Sequence, residues 1–384
     1  MRSRDEGARP LSTLQVGMTA SRAHLSGTDR YYLDLLRELP NVGVGVRGMV
    51  IGEPALLDAP VPGVESFATE TSGRLARWVS ARRTMARLLG DAKLVVSHGA
   101  PHTFYALDKI GRRPLVVHFH GPWALEGEAE GISRGSVLVR KIQENVVYRR
   151  AARFIVLSRS FADILANAYG VPEKKIRIIP GGVDLRRFTG IGSRAEARRR
   201  LELPEHRPIV LATRRLEPTK GVGALVDAMA EVRAAVPEVL CAITGTGSLA
   251  DDLRRRAHAL GLDETVRFLG HVDDAALPSL YAAADVTVLP SIAWEGFGLS
   301  VIESLACGTP ALVTPVGGMP DAVRDLDPSL VLASSSSHDI AAGLIAALRE
   351  RGRLPSREAC IAYARRFGWS TIAARVSDVY REVA

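Results

Sequence analysis

Glu295 and Glu303 stand with seven residues between them in IAWEGFGLSVIE, residues 292–303, a stretch otherwise apolar or glycine except for Ser300. Ionised carboxylates only accept hydrogen bonds, so they suit vicinal diols such as those of a sugar ring or a ribose. Glu295 falls in a loop leaving the strand-like DVTVLPS, and Glu303 lies about one turn into a helix. That spacing lets one acid reach the head of a long ligand and the other reach further along it. A capping acid beside a solvated helix glutamate is the plainer alternative.

Cationic chemistry gathers in TRRLEPTKGV, 213–222, which also follows a strand and opens a helix. Arg214, Arg215 and Lys220 sit there close to a helix N-terminus, where free N–H groups already favour an anion. Arginine grips phosphate bidentately and lysine acts as a point charge, a combination suited to a diphosphate. ITGTGSL, 243–249, places Gly245 and Gly247 in a turn that a ligand's backbone-facing groups can approach, though the Gly-x-Gly spacing lacks a third glycine. The dinucleotide fingerprint is therefore absent, which argues against a dehydrogenase. HLSGTDRYYLDLLREL, 24–39, puts Ser26 and Gly27 at the head of an amphipathic helix, either as a second anion cradle or as a plain helix cap by Ser26 or Thr28.

HFHGPW, 118–123, ends another strand with His118 and His120 on one face. A metal pair would need a third ligand, for which Glu126, Glu128 and Glu130, in an expected loop at 121–131, are the nearby acids. The preferred reading has His118 packed and His120, at the strand end, donating to a hydroxyl or carbonyl. The Asp-x-Asp of DLD, 325–327, reads as a surface turn, and the separated Cys241, Cys307 and Cys360 as buried thiols. No metal is expected.

These residues must be held by the elements around them. Apolar, β-branched runs alternate with helical patterns throughout: 14–18, 44–52, 93–99, 114–121, 153–158 and 176–184, then 208–214, 240–245, 266–272, 285–291, 310–316 and 329–333. Continuous apolar strands joined through helices predict parallel sheets covered on both faces. The polar, Pro-closed stretch 185–207 reads as a linker. The expected α/β architecture is two doubly wound, Rossmann-like domains facing a cleft, with ligands beyond the carboxyl ends of the strands.

Composition narrows the class. With 384 residues, 47% hydrophobic and 24% charged, the chain has the make-up of a two-domain globular protein. No apolar run reaches a membrane span, and the first ten residues do not resemble a signal peptide, so a cytoplasmic location is expected. Net charge is +8, unevenly spread: residues 1–190 hold 28 Lys and Arg against 18 Asp and Glu, or +10, leaving 22 against 24, or −2. Basic helix faces at 74–89 and 139–153 suggest a membrane surface or nucleic acid, with solvated faces the preferred account.

Taken in order, these motifs resemble a retaining glycosyltransferase of the GT-B fold, family 4. Glu295 to Glu303, in PSIAWEGFGLSVIESLACGTPALVTPVGGMPD, is similar to that family's E-x7-E motif. RRLEPTKG resembles its phosphate loop and ITGTGSLADDL its Gly-rich turn, and VRFLGHV, IPGGVDLRRF and FGWSTIAARVSDVY fit too, so the match covers nearly the whole chain. The resemblance implies that Glu303 binds the donor's ribose hydroxyls, while Glu295 holds the donor sugar with the backbone of Gly296, Phe297, Gly298 and Leu299. Arg215 and Lys220 would neutralise the diphosphate, with Arg214 as a substitute, and Gly245 would belong to the donor site. His120 corresponds to the family's histidine near the transferred sugar. Gly27 corresponds to the second glycine of an amino-terminal pair whose first member is replaced here by Ser26. The implied domains are 1–186, acceptor-binding, and 187–366, nucleotide-sugar-binding, with 367–384 crossing back onto the first.

The implied reaction is metal-independent, same-face transfer of a sugar from a nucleotide diphosphate, UDP more than GDP, to a hydroxyl of a small-molecule, glycan or lipid-linked acceptor. The departing diphosphate needs positive charge more than a protonating acid. No cofactor is expected beyond the nucleotide sugar as co-substrate, and no nucleic acid; membrane-surface association through the basic first domain is an open expectation. A GT-B phosphorylase, a nucleotide-sugar epimerase, and a basic membrane- or nucleic-acid-binding protein are the rival readings.

Overall fold

A computed structural model describes residues 10–20, 26–57, 59–188 and 190–384. The chain forms two compact units, Met1–Gly182 with Trp369–Ala384, and Val183–Gly368. The change of unit thus comes four residues before the 186/187 boundary read from sequence, and the return comes two residues after 366/367. Both crossings meet where Val183 and Gly368 form a β-bridge.

The first unit is built on seven strands, β1 Leu11–Ala20, β2 Val44–Gly52, β3 Val64–Ala68, β4 Leu94–Ser97, β5 Leu115–Phe119, β6 Arg153–Val156 and β7 Ile176–Ile178. Their order is β3-β2-β1-β4-β5-β6-β7, and every pairing is parallel. The period-2 geometry of a strand sends Val95 into one apolar cluster and Leu94 and Val96 into the other. Both faces are covered, as unbroken apolar strands require. The C-terminal helix Trp369–Val383 supplies Ile372, Ala373 and Val376 to the second cluster, beside Leu35 and Leu36 of the helix Gly27–Glu38.

The second unit has five parallel strands, β8 Ile209–Thr213, β9 Leu240–Thr244, β10 Val266–Gly270, β11 Val286–Leu289 and β12 Ala311–Val313, in the order β10-β9-β8-β11-β12. In each sheet the order reverses once, beside β1 and β4 and beside β8 and β11. Ligands in open α/β sheets bind beyond the strands' carboxyl ends at such a switch point.

Three readings of the sequence are corrected. The stretch 185–207 is no linker: it carries the helices Leu185–Phe188 and Arg194–Arg200. Arg198 looks like a solvated charge in sequence, but it is buried, donating to Asp285 at 2.7 Å and to the Ala283 carbonyl at 2.9 Å. The run 329–333 is not a strand. Asp327 accepts from the Ser329 N–H at 2.8 Å, turning the chain into the 3-10 segment Pro328–Leu330, and only Val331 makes an isolated bridge, to Val313. The loop expected at 121–131 contains the helix Trp123–Ala129, and the buried Glu144 accepts from the Trp123 and Ala124 N–H groups at its start. Strand β3 went unread because VESFA is short, polar and at the sheet edge.

Candidate functional site

In the second unit the loops leaving β8 and β11 converge at the switch point. Arg214 follows β8, and Lys220 ends the 3-10 turn Pro218–Lys220 just before the helix Val222–Ala235. Glu295 lies in the loop between β11 and the helix Leu299–Ala306. One carboxylate oxygen, Glu295 Oε1, accepts from Arg214 Nη2, from Lys220 Nζ at 2.5 Å and from Ser291 Oγ at 3.2 Å. Trp294, with φ near 50°, turns the chain into the left-handed region just before Glu295. Gly317 must be glycine, because a Cβ there would lie 2.0 Å from the Glu295 carbonyl oxygen, the same oxygen that accepts from the Gly318 N–H at 2.8 Å.

The local charge is unbalanced. Burial works to raise the Glu295 carboxyl, but Arg214 and Lys220 more than offset it and hold it below the usual carboxylate range. Lys220 is held below its ordinary value, first by burial and then by Arg214 and Arg215, against the pull of Glu295. Burial is the larger cause, and the two guanidinium groups add to it, a contribution that a bound anion would offset. Arg214 Nε is buried and has no hydrogen-bond partner among the described residues. Together these features suit an anion at this point of the fold.

Of the two arginines considered for the diphosphate, the structure brings Arg214 to the cluster. Arg214 has the buried side chain facing Glu295, whereas Arg215, the first choice, is exposed. Gly245 has a steric role in this arrangement. Its N–H donates to the Gly270 carbonyl, and a Cβ would lie 1.9 Å from the Arg214 carbonyl oxygen. The glycine therefore lets the β9 turn press against the Arg214 loop and hold that arginine in place. Gly298 caps the helix Leu299–Ala306, Phe297 is buried with its ring centroid 5.4 Å from that of Phe367, and Gly296 and Leu299 are half-buried. Glu303 is buried one turn into the helix and accepts from the Tyr281 hydroxyl at 3.0 Å.

In the first unit three imidazoles gather beside its own switch point. His98 follows β4, His118 lies in β5 and His120 follows it. His98 was missed in sequence; its signal was a second histidine at the carboxyl end of the neighbouring strand. Ring centroids lie 4.2 Å apart for His98 and His118, 5.5 Å for His98 and His120, and 6.1 Å for His118 and His120, with planes within 25° of parallel. One nitrogen from each ring lies within 4.8 Å of the others, but both nitrogens of His118 already face tyrosine hydroxyls and His98 Nε2 faces Gln15, so a metal ion would have to displace these bonds. His118 is packed as read, between the Tyr31 hydroxyl at 3.2 Å and the Tyr380 hydroxyl at 2.8 Å. Burial lowers all three, His120 to about 4 and the others well below the usual value, so the cluster is neutral at pH 7.

The remaining candidates separate from these centres. Residues 21–25, which include the first two residues of HLSGTDR, lie outside the described residues. Ser26 caps the helix Gly27–Glu38 in a capping box with Asp29, whose carboxylate also accepts from the Thr19 N–H at 3.0 Å. That acid occupies the helix N-terminus, so the Gly27 region is a cap before it is an anion cradle. Thr19, Asp29, Ile51, Glu70, Arg77 and His102 line a cavity of about 290 Å³ in the first unit. Glu128 pairs with Lys141 at 3.2 Å, and Glu130 is exposed. Asp325 is an exposed partner of Arg366 at 3.4 Å, and all three cysteines are buried.

Comparison with known proteins agrees with this architecture. The family described as glycosyltransferase family 4 matches residues 25–187, and glycosyl transferases group 1 matches residues 193–367. A D-inositol 3-phosphate glycosyltransferase of Streptomyces bingchenggensis is 30% identical over 99% of this chain and 91% of its own length. One from Salinispora arenicola is 34% identical over 88% and 78%. A Catenulispora acidiphila relative of the same name is 36% identical over 63% of this chain, and the match spans 58% of that relative's length. Among solved structures, Anabaena HepE in complex with UDP and glucose superposes with a TM-score of 0.79 at 21% identity, covering 97% of this chain and all of that one. A sucrose-phosphate synthase from Thermosynechococcus elongatus gives 0.79 at 21%, covering 97% and 98%. The fold is GT-B. The chain belongs to the family 4 glycosyltransferases.

Proposed function

We propose that this chain moves a hexose from a UDP-linked donor to a hydroxyl acceptor with retention and without a metal ion. The observation that carries the reading is the convergence of Arg214 and Lys220 at the switch point of the second unit, around Glu295. Two cations and a helix N-terminus supply the positive charge that a departing diphosphate needs, so the chain's own groups can meet that demand. Glu303, one turn further along, is suited to the ribose diol and Glu295 to a sugar hydroxyl. The choice of UDP is supported by HepE, a protein of the same fold whose structure holds UDP and glucose.

For the acceptor, the relatives' printed name, D-inositol 3-phosphate glycosyltransferase, supports a cyclitol. The cavity lined by Thr19, Asp29, Glu70, Arg77 and His102 sets one guanidinium against two carboxyl groups, a lining suited to hydroxyls. Location at or near a membrane surface is part of the proposal. Among the described residues no helix is long and apolar enough to cross a membrane.

The test is UDP-glucose binding and turnover, with D-inositol 3-phosphate and free inositol as acceptors. Lys220→Ala and Glu303→Ala should each weaken donor binding by about tenfold or more, the loss of one charge-assisted contact. His120→Ala should leave binding intact and cut turnover. Unchanged rates in all three variants would sink the reading, and product formed from UDP-glucose alone would point to an epimerase.

A further inference from the structure

We propose that Thr13, Gln15 and His98 fix His120 as the Nε2–H tautomer, so that it presents a bare Nδ1 and binds a ligand hydroxyl rather than a carbonyl or carboxylate. The proposal rests on the reading of His120 as the sugar-facing histidine, and it reverses the direction expected from sequence, in which His120 donates.

The argument starts at a group with no choice. The backbone carbonyl of Gly45 can only accept, and Thr13 Oγ1 lies 3.0 Å from it, so the threonine hydroxyl proton points there. Thr13 Oγ1 then has only lone pairs left for Gln15, whose Nε2 donates to it at 3.0 Å. The Gln15 side chain also hydrogen-bonds the Tyr380 hydroxyl. The Gln15 amide nitrogen is thereby committed, and its Oε1 faces His98 Nε2 at 3.1 Å. Turning the amide over would aim its oxygen at a hydroxyl whose proton is already placed.

An amide oxygen cannot donate, so the proton of His98 sits on Nε2. The imidazole is neutral, because burial with His118 and His120 close by holds it well below its usual value. Neutral His98 therefore has a lone pair on Nδ1, and this atom lies 3.3 Å from His120 Nε2. His120 must be the donor across that contact, which leaves its own Nδ1 unprotonated. Among the described residues Nδ1 of His120 makes no hydrogen bond, and the residue is only half-buried, whereas His98 and His118 are covered. Every link is a strand residue or the residue that follows a strand, in β1, β4 and β5, so the register of the parallel sheet holds the chain in place.

The consequence is chemical selectivity. A lone pair accepts from a sugar hydroxyl but repels an oxygen that has no proton. His98 and Gln15 act as positioning residues, and His120 is the contact with the sugar.

Nitrogen-15 long-range correlation spectra of the imidazoles in the wild-type protein test this at about pH 7 without any ligand. A protonated Nε2 and bare Nδ1 are expected for both His98 and His120; a protonated Nδ1 on His120 overturns the proposal. Gln15→Met removes the acceptor and should give His120 a mixed tautomer, with lower turnover of UDP-glucose and unchanged donor KM. Gln15→Glu keeps an acceptor oxygen and should restore the tautomer. Replacing each glucose hydroxyl of UDP-glucose by fluorine in turn should single out one position that loses at least tenfold in turnover, and that loss should vanish in His120→Ala. No such position would overturn the hydroxyl assignment. Failure to bind UDP would count against the proposed function alone, because the ligand-free spectra judge the tautomer by themselves.

Discussion

At the scale of single residues the cluster at the second unit's switch point holds charge that does not cancel. Glu295 is shared by Arg214 and Lys220, with Arg215 near enough to depress Lys220 further. Because its folded pKa lies below the ordinary value, Glu295 adds stability above the usual carboxylate range, and this is lost as pH falls through its folded value. Lys220 has the opposite sign: its charged form costs stability at neutral pH, and the cost is relieved as pH rises through its depressed value. A bound diphosphate supplies the missing negative charge and raises Lys220 again. UDP binding should therefore take up a fraction of a proton, more at about pH 9 than at pH 7, since an ordinary lysine titrates near ~10.4. Calorimetry in buffers of different ionisation enthalpy reads that fraction directly, and Lys220→Met should abolish it. Equal proton uptake in the wild type and in Lys220→Met would place the surplus charge elsewhere. That these two loops leave strand ends was legible, because E-x7-E and RRLEPTKG each follow an apolar run. The choice between Arg214 and Arg215 was not, because neighbours at a strand exit point to opposite sides and only the packed turn at Gly245 decides which one faces in.

At the scale of elements, sequence reading succeeded where periodicity was strong and failed where a charge was buried. The inner strands show unbroken apolar runs, and their order follows from the doubly wound rule. His98 was hidden because it lies 22 residues from His120 in sequence and is brought beside it only by the pairing of β4 with β5. The helix Arg194–Arg200 was hidden by its arginines. Arg198 binds Asp285, which also accepts from the Ile209 N–H at 2.7 Å and from Arg194 at 3.0 Å, so this helix ties the start of β8 to the start of β11. Breaking a buried pair by removing one partner costs about 3–5 kcal/mol. Arg198→Met should lie near the lower end, because Arg194 and the Ile209 N–H still serve Asp285. Urea denaturation measures the loss, and the double replacement with Asp285→Leu should recover part of it. A loss under about 1 kcal/mol in the single variant would mean that the segment behaves as the linker it first resembled.

At the scale of the whole molecule the uneven charge acquires a place. The helix Arg134–Arg150 exposes Leu138, Ile142 and Val146 at four-residue intervals, with Val139 beside them. That spacing makes one stripe on the helix surface, and Arg134 and Arg149, both exposed, continue the same face at its two ends. An apolar stripe closed by guanidinium groups complements a bilayer with anionic headgroups, where the side chains enter the interface and each basic residue adds about 1 kcal/mol. Vesicles containing phosphatidylserine should therefore sediment with the protein at low salt and release it as ionic strength rises, while neutral vesicles should bind much less. Leu138→Ser with Ile142→Ser should remove the binding without changing UDP affinity, because the helix and the Arg214, Lys220 and Glu295 cluster belong to different units. Vesicle binding that survives the double substitution would move the contact to another surface, and a stripe buried in a dimer would show as a mass that halves in the same variant. The exposed stripe and the Arg214, Lys220 and Glu295 cluster would then be separable properties of one chain.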